Sequence, residues 1–472
     1  MMKVLHLSDI HLGSGLAYGK INPVTGLNTR LEDFINALSR CIDRAIAEPV
    51  DLVLFGGDAF PDATPAPFIQ QAFANQFHRL VQAQIPIVLL VGNHDQHSQG
   101  QGGASLCIYR SLGVPGVVVG DRLETHRVQT RQGVVQIITL PWLTRSMLLT
   151  KPETQHLSLS EVNHLLHDRL RVALEGEIRR LQPDLPTILL GHLTAESATY
   201  GAERFLAVSK GFTIPLSLLT RPCFDYVALG HIHRHQVLCE HPPIVYPGSI
   251  ERVDFSEENE EKGFVLVELK QGATRFEFCP LPTRPFRTIS LNLAQQTDPQ
   301  TDPQATILQA IQSANLEGAI VRLIYRLQPA QVAQLDPQEL HQALSIAHTY
   351  TIQAELINKP IQSRLPSLGI NNSLDPISAL KTYLGNRDDL RAMEAELLAV
   401  AQTLLQENID QDLVDYDASS HRLYTQPGYT PHRDPDQMTH IEQLNIEQLN
   451  IEQLSIEQLN IEQPNIEQLS IL

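Results

Sequence analysis

The sequence predicts an α/β protein in which mixed β-sheets are flanked by helices. Up to about residue 280, short apolar runs alternate with amphipathic stretches, a pattern typical of layered α/β folds. The 472 residues are enough for two or three structural units. Hydrophobic residues make up 42% of the chain and charged residues 19%, which is the composition of a globular protein.

Helices are predicted at residues 30–47, 66–83 and 158–181, and the last begins with Ser158 and Glu161 at capping-box spacing. Two antiparallel hairpins are predicted at residues 126–140 and 263–278. These hairpins add antiparallel strands to the edges of the sheets.

The chain is predicted to consist of several consecutive domains and segments. A first domain covers residues 1–283, after which the sequence turns to Pro, Thr, Asn and Gln. A small α+β capping domain follows at 284–360, with strands near 319–325 and 350–357 around a helix at 336–347. A helical segment at 373–410 has one apolar face, which is either core or a docking surface for a partner.

After a linker at residues 411–440, six near-identical pentapeptides occupy the tail at 441–472. A period of five residues forms no continuous stripe on a helix. The tail is therefore predicted to be disordered, with a partner-binding helix as the alternative.

Composition argues against several classes of protein. The formal net charge of −18 disfavours DNA binding through a general basic surface, although six of the acids lie in a tail without Lys or Arg. The five cysteines are scattered and form no Cys-x-x-Cys pair, so neither zinc nor redox chemistry by thiols is indicated. No apolar run approaches the roughly 18 residues of a membrane span, and the chain opens on a strand-like segment. No membrane association and a cytoplasmic location are expected.

Five apolar runs each end in polar residues that can bind metal. These residues are Asp9 and His11; Asp58; Asn93, His94 and Asp95; His192; and His231 and His233. In open α/β sheets, ligands bind at the carboxyl ends of the strands, so all five groups are expected on one rim. Strand alternation is expected to place Asp9 and His11 on one side, and likewise His231 and His233. Imidazole, carboxylate and amide ligands without thiolate suit manganese, iron or zinc.

These motifs together resemble the calcineurin-like metallophosphoesterase superfamily over about residues 2–269. The pattern consists of Asp9-x-His11, Gly57-Asp58, Gly92-Asn93-His94-Asp95, Gly191-His192 and Gly230-His231-Ile232-His233. Within the superfamily, one further stretch of the sequence resembles the SbcD type of DNA-repair exonuclease. This stretch is Tyr246-Pro247-Gly248-Ser249-Ile250-Glu251-Arg252 with Phe255. The order of phosphoesterase domain, capping domain and helical segment agrees with that resemblance.

The resemblance implies a layered metallophosphoesterase sandwich that holds two divalent metal ions, with manganese as the expected metal. One ion would be bound by Asp9, His11, Asp58 and His233. The other would be bound by Asp58, Asn93, His192 and His231, so that Asp58 bridges the two. His94 is the expected catalytic residue, and it either stabilises charge or protonates the leaving group. Asp95 either orients a histidine or stabilises a turn.

The implied activity is that of a DNA nuclease, with double-strand exonuclease and single-strand endonuclease action in repair or recombination. An SbcC-like SMC-type ATPase is the implied partner, and homodimerisation is left open. Lys20 and Arg30 are candidates for phosphate contacts, with a solvated loop as the alternative. Some nucleases of the family carry a second histidine where this sequence has Pro61, so the cleavage polarity is left open.

Two other functions are compatible with the same residues. One is a phosphodiesterase or phosphatase that acts on a small molecule or a phosphoprotein, because the metal core is shared across the superfamily. The other is a non-catalytic scaffold that binds DNA ends or the ATPase.

Overall fold

The computed structural model describes residues 1–97, 103–144, 148, 157, 159–199, 213–294, 302–357, 377, 380, 381, 384 and 393–402. The strands within them are β1 Met2–Leu7, β2 Leu52–Phe55, β3 Ile87–Leu90, β4 Val117–Gly120, β5 Glu124–Thr130, β6 Gly133–Leu140, β7 Thr187–His192, β8 Thr194–Ala195, β9 Thr213–Ile214, β10 Tyr226–Gly230, β11 Gln236–Glu240, β12 Pro243–Tyr246, β13 Gly263–Leu269, β14 Arg275–Pro280, β15 Phe286–Asn292, β16 Ile320–Leu327 and β17 Thr349–Leu356. The helices are α1 Thr29–Ala47, α2 Pro67–Gln82, α3 Cys107–Ser111, α4 Leu159–Ile178, α5 Leu216–Leu219, α6 Pro303–Ser313 and α7 Pro337–Leu344.

Two six-stranded mixed sheets form the centre of the fold. The first has the order β14-β13-β1-β2-β3-β4, in which β1 to β4 are parallel and β13 pairs antiparallel with both β1 and β14. The second has the order β11-β12-β10-β7-β6-β5, with antiparallel pairs at both edges. The predicted fold class, mixed sheets flanked by helices, is confirmed.

Three apolar layers hold the sheets and helices together. Between the two sheets, side chains such as Val4 and Leu54 meet Ile188 and Tyr226 in one buried cluster. Helices α1 and α2 cover the outer face of the first sheet, and α4 and α5 cover the outer face of the second. The result is a four-layer helix–sheet–sheet–helix sandwich.

Helix α1 illustrates how the sequence specifies these layers. Its N-terminus is capped by Asn28, whose side chain accepts the backbone N–H of Arg30 at 2.9 Å. Leu31, Phe34 and Leu38 then recur at helical spacing, and all three are buried against the first sheet.

Two hairpins and three helices lie where the sequence predicted them, with ends shifted by up to three residues. They are β5–β6, β13–β14, α1, α2 and α4. The proposed cap of α4, Ser158, lies outside the described residues. Strand β15 and helix α6 were not predicted, because the polar composition of residues 283–300 concealed the strand. Propensity alone does not reveal a short strand whose pairing is supplied by a distant partner.

The three-stranded sheet β15-β16-β17 follows the sandwich and is parallel throughout. One face packs on α6 and α7 through a core that includes Leu323, Leu327, Ile307 and Leu340. This sheet has its own core but belongs to the same compact unit, Met1–Lys359, as the sandwich. Its status as a separate capping domain therefore stays a prediction.

Arg284 joins the region of the three-stranded sheet to α1 through the carboxylate of Asp33, which also binds Arg30 on the same helix. Arg30 is fully buried and donates to Asp33 at 2.7 Å and to the carbonyl oxygen of Arg252 at 2.5 Å. Arg284 donates twice to Asp33, at 2.6 and 2.7 Å, and once to the carbonyl oxygen of Gly318 at 3.0 Å. Because Gly318 precedes β16, the position of the sheet depends on Asp33.

Residues beyond 359 are described only in part. Residues 394–402 are helical, within the predicted segment 373–410. The predicted linker at 411–440 and the repeat tail at 441–472 lie outside the described residues. Among the helices that are described, none is both long and apolar enough to cross a membrane.

We predict that Asp33→Asn destabilises the protein strongly. The amide leaves Arg284 without its anion and leaves the fully buried Arg30 with only Glu251, 3.7 Å away, and breaking a buried ion pair costs about 3–5 kcal/mol. The free energy of unfolding from urea titrations tests this. The control Asp43→Asn, on the same helix, breaks the exposed pair with Arg79 and should cost under about 1 kcal/mol. Equal losses in the two variants would contradict the role of Asp33.

Candidate metal centre

The predicted metal ligands and His94 lie at the carboxyl ends of β1, β2, β3, β7 and β10. His192 is the last residue of β7, and the others lie on the loops that follow their strands. The two sheets meet at this rim. The backbone N–H of His231 donates to both oxygens of Asp9 at 3.1 Å, and His192 Nδ1 donates to the carbonyl oxygen of Gly56 at 2.7 Å. The convergence expected from the carboxyl ends of parallel strands is therefore present.

Left-handed backbone conformations, rather than strand alternation, determine the directions of several predicted ligand side chains. Asp9 has φ 51°, His11 φ 46°, Asp58 φ 60° and His231 φ 99°, all in a region that non-glycine residues seldom adopt. Asp9 and His11 do lie in one group that could hold a metal ion, as expected, whereas His231 and His233 lie in two. Strand alternation is not the cause, since β1 ends at Leu7, before the first ligand. Such strained conformations cost about 1–3 kcal/mol each and cluster at functional sites.

The first group of side chains that could hold a metal ion contains Asp9, His11 and His233. All three are buried, and the Nε2 atoms of the two histidines lie 3.0 Å apart. The second group contains Asp58, His192 and His231, which are also buried.

Two further contacts complete the cluster. Asn93 Oδ1 lies 2.9 Å from both His192 Nε2 and His231 Nδ1. Asp58 Oδ2 lies 3.2 Å from His192 Nε2 and 3.7 Å from His11 Nε2, so this carboxylate reaches both groups. All seven predicted ligand residues are brought together.

The donor atoms of the cluster fit a cation. His192 Nδ1 donates to Gly56, so the Nε2 atom of the neutral ring presents a lone pair to Asn93 Oδ1 and Asp58 Oδ2, which are also acceptors. A divalent ion removes this repulsion between lone pairs, as does a proton on the ring. Nitrogen and oxygen donors without sulfur suit a borderline or hard divalent metal.

The protonation equilibria show the same preference for positive charge beside Asp58. Burial raises the pKa of Asp9 to about 6 and lowers the pKa values of His11 and His231 well below their usual range. Burial also opposes charge on His192, but the Asp58 carboxylate, together with Asp9 and the Gly56 carbonyl, outweighs it and raises the pKa of His192 to about 9. Burial opposes charge on Asp58 too, but His192, together with His94 and His11, outweighs it and lowers the pKa of Asp58.

His94 lies at the edge of the cluster and is half-buried. Its Nδ1 is 2.8 Å from the carbonyl oxygen of Pro61, and its backbone N–H donates to Asp58 Oδ1 at 2.8 Å. A ring nitrogen of His94 also lies in a group with His11 and Asp58 that could hold a metal ion. Because a carbonyl oxygen only accepts, Nδ1 carries a proton and Nε2 is left for another partner.

Asp95 stabilises the loops, which was the second of the two roles expected for it. Its carboxylate accepts backbone N–H groups from Asp58 at 2.9 Å, Ala59 at 3.0 Å and Gly92 at 2.9 Å. These bonds join the loop after β2 to the loop after β3. Asp95 thereby fixes the backbone that carries Asp58.

The two predicted phosphate contacts differ in outcome. Arg30 is wrong as a phosphate contact, because its guanidinium is fully buried and bonded to Asp33 and Arg252. Its apparent place in a loop concealed its position in the first turn of α1. Lys20 is exposed, and its role stays a prediction.

Two residues beside the cluster were not predicted. Glu257 Oε1 lies 2.6 Å from His233 Nδ1, and Glu257 is fully buried. Trp142, the single tryptophan of the chain, packs its ring 4.7 Å from the ring of His231. Trp142 follows the end of β6 on the same rim, a signal that sequence reasoning could have used, whereas Glu257 follows no strand end.

Comparison with known proteins agrees with this geometry. Residues 2–235 match the calcineurin-like phosphoesterase family, and every residue of the cluster lies within that stretch. The chain therefore belongs to the calcineurin-like phosphoesterase family of metal-dependent hydrolases.

Individual proteins that resemble this chain have low sequence identity to it. The SbcD subunit of the SbcCD nuclease from Staphylococcus epidermidis is 27% identical over 293 residues, which cover 61% of this chain and 72% of that protein. A dimetal phosphatase from Danio rerio is 12% identical with a TM-score of 0.37, covering 58% of this chain and 95% of that chain. The protein TT1561 of Thermus thermophilus is 14% identical with a TM-score of 0.35, covering 59% of this chain and 98% of that chain.

We predict that Gly92→Ala impairs metal binding. A Cβ atom at residue 92 would lie 2.1 Å from Asp58 Oδ1 and 2.5 Å from the Asp58 nitrogen, so the carboxylate must move. Calorimetric titration with Mn²⁺ should show affinity lowered by at least about tenfold, in the range found when ligand positioning is disturbed. The control Gly176→Ala, in open space on α4, should bind as the parent does. Unchanged binding by Gly92→Ala would contradict the placement of Asp58.

Proposed function

We propose that this chain is a metal-dependent DNA nuclease that hydrolyses phosphodiester bonds, of the double-strand exonuclease and single-strand endonuclease type. One observation carries the choice within the family. The similarity to the SbcD nuclease subunit extends over 293 residues, whereas the phosphoesterase family match covers only residues 2–235. The likeness therefore includes sequence outside the metal core that phosphatases and phosphodiesterases share.

We assign two divalent metal ions, with manganese as the native metal, to the two groups. Asp9, His11 and His233 would hold one ion, Asn93, His192 and His231 the other, and Asp58 both. Such ions supply Lewis-acid activation of the phosphate and an acidified water. The chain keeps the ligands in place through buried backbone bonds to Asp95 and Gly56.

His94 acts on the substrate rather than on a metal in this proposal. The carbonyl oxygen of Pro61 holds Nδ1–H and so fixes the ring, leaving Nε2 to face a phosphate oxygen. A protonated Nε2 stabilises developing negative charge or donates its proton to the leaving 3′ oxygen. Pro61 occupies the position at which some relatives carry a second histidine, and here its carbonyl group orients the first.

The partner assigned by this proposal is an SbcC-like SMC-type ATPase, in DNA repair or recombination. Met393, Leu397 and Val400 recur at helical spacing in the described part of the segment after residue 376, and their exposed fractions are 44%, 37% and 44%. An apolar stripe left in solvent on a helix is typical of a docking face. Homodimerisation and the cytoplasmic location stay predictions.

We predict that His94→Ala slows cleavage strongly but leaves two bound metal ions per chain. Loss of a general acid or charge-stabilising imidazole lowers rates by about 10²–10⁴-fold. Metal content after dialysis and single-turnover cleavage rates measure the two effects. The control His97→Ala removes an exposed histidine three residues away and should change neither. Loss of one metal ion from His94→Ala would make this residue a ligand and contradict its proposed role.

The DNA assignment is tested with end-labelled double-stranded and single-stranded DNA, incubated with the full chain with and without manganese. We expect manganese-dependent cutting that His94→Ala slows strongly. Robust hydrolysis of bis(p-nitrophenyl) phosphate without any cutting of DNA would overturn the assignment and favour a small-molecule phosphodiesterase. Equal, negligible hydrolysis of both substrates by the parent and the variant would favour a scaffold.

A further inference from the structure

The two ring nitrogens of His233 have different surroundings. Nε2 lies 3.0 Å from His11 Nε2, inside the metal-capable group, whereas Nδ1 points away from it and lies 2.6 Å from Glu257 Oε1. Glu257 belongs to none of the metal-capable groups found among the described residues. A buried carboxylate outside the cluster thus contacts one of its ligands directly.

Glu257 is held by a set of bonds that serve both its charge and the histidine. Its second oxygen, Oε2, accepts from Lys262 Nζ at 2.8 Å and from the backbone N–H of Val253 at 2.9 Å. Lys262 is itself buried, and its ammonium group also donates to Glu260 at 2.8 Å and to the backbone carbonyl of His233 at 3.1 Å. Lys262 therefore stabilises the carboxylate and fixes the backbone of the residue that this carboxylate contacts.

This contact determines which nitrogen of His233 carries the proton. A carboxylate accepts from Nδ1–H, so the neutral ring is held as the tautomer whose Nε2 lone pair points into the cluster. Metal-ligating histidines commonly donate their other ring N–H to a carboxylate in this way. The arrangement orients His233 before any ion binds.

The same short segment contacts the three-stranded sheet. Phe255, at the start of the 3-10 turn Phe255–Glu257, packs edge-on against Phe286 with ring centroids 4.9 Å apart. The guanidinium of Arg322 lies 4.4 Å from the centroid of the Phe255 ring. Glu258 accepts the backbone N–H of Thr288, on β15, at 3.0 and 3.1 Å. Glu257 is thus flanked in sequence by two residues that hold the sheet.

We propose that Glu257 is a positioning residue that orients His233 for metal binding, and that its effect depends on the contact between the turn Phe255–Glu257 and the three-stranded sheet. The inference uses the assignment of His233 as a metal ligand from the proposed function, but not the identity of the substrate. Coupling of this kind is reciprocal, so metal binding also strengthens the contact with the sheet. A partner that displaced the sheet would thereby weaken one metal site.

The first experiment compares Glu257→Gln with the control Glu261→Gln, which changes an exposed carboxylate four residues later. Mn²⁺ titration of the full chain by calorimetry should show one of two sites weakened about 10–100-fold in Glu257→Gln and no change in the control. Nitrogen-15 NMR of labelled imidazoles in the metal-free protein should show His233 losing its fixed Nδ1–H tautomer. Unchanged affinity and an unchanged tautomer would overturn the positioning role.

A second variant separates positioning from folding. Glu257→Gln combined with Lys262→Met removes the buried charge of Glu257 together with its buried counter-ion, and leaves only the partly exposed carboxylate of Glu260 without Lys262. We expect this variant to melt closer to the parent than Glu257→Gln does, yet to keep the weakened metal site. Recovery of full metal affinity in the double variant would show that the loss in Glu257→Gln came from misfolding, and would overturn the proposal.

The coupling to the sheet is tested by Glu258→Ala and Phe255→Leu, which change contacts with Thr288 and Phe286 and not the bond between Glu257 and His233. Both should weaken the same metal site by severalfold, with the other site unchanged. Parental affinity in both variants would overturn the coupling. Because no measurement uses DNA, a chain that cuts no DNA but shows these effects would refute the proposed function and leave this inference intact.

Discussion

The position of one carboxylate, Asp58, is the constraint on which the rest of the site depends. It lies where two sheets meet, and its Oδ2 approaches histidines from both, His11 at 3.7 Å and His192 at 3.2 Å. Its backbone is left-handed and its N–H is held by Asp95, while Gly92 leaves the space that its side chain fills. Together these conditions place one carboxylate within reach of both groups of side chains that could hold a metal ion.

The sandwich supplies the rigidity that this position requires. An apolar layer between the sheets fixes the parallel strands whose loops carry the ligands, and buried polar bonds such as His192 to Gly56 then join one loop to another. The three-stranded sheet is attached through the pair of Asp33 and Arg284 and through the turn beside Glu257. The metal centre is therefore supported from three directions, two of them by the sheets that provide its ligands.

Much of the site followed from the sequence because each ligand comes directly after an apolar strand, which is a local signal. Asp9, Asn93 and His231 are recognised in this way without knowledge of tertiary contacts. What local sequence could not reveal depends on distant partners. Glu257 contacts His233 across 24 residues, Arg30 is buried by Phe286 and Arg252, and β15 is a strand because it pairs with β16. The left-handed turns at Asp9 and His11 could not be predicted either, because few non-glycine residues adopt this backbone region even though Asp and His do so more often than most.

The most direct test of this account is anomalous diffraction at the manganese edge from crystals of the full chain soaked in Mn²⁺. We predict two peaks, about 3.5–4 Å apart, with Asp58 as the ligand common to both. The shared carboxylate would be established by one peak near Asp9, His11 and His233 and a second peak near Asn93, His192 and His231. A single peak, or two peaks of which only one contacts Asp58, would contradict the central claim.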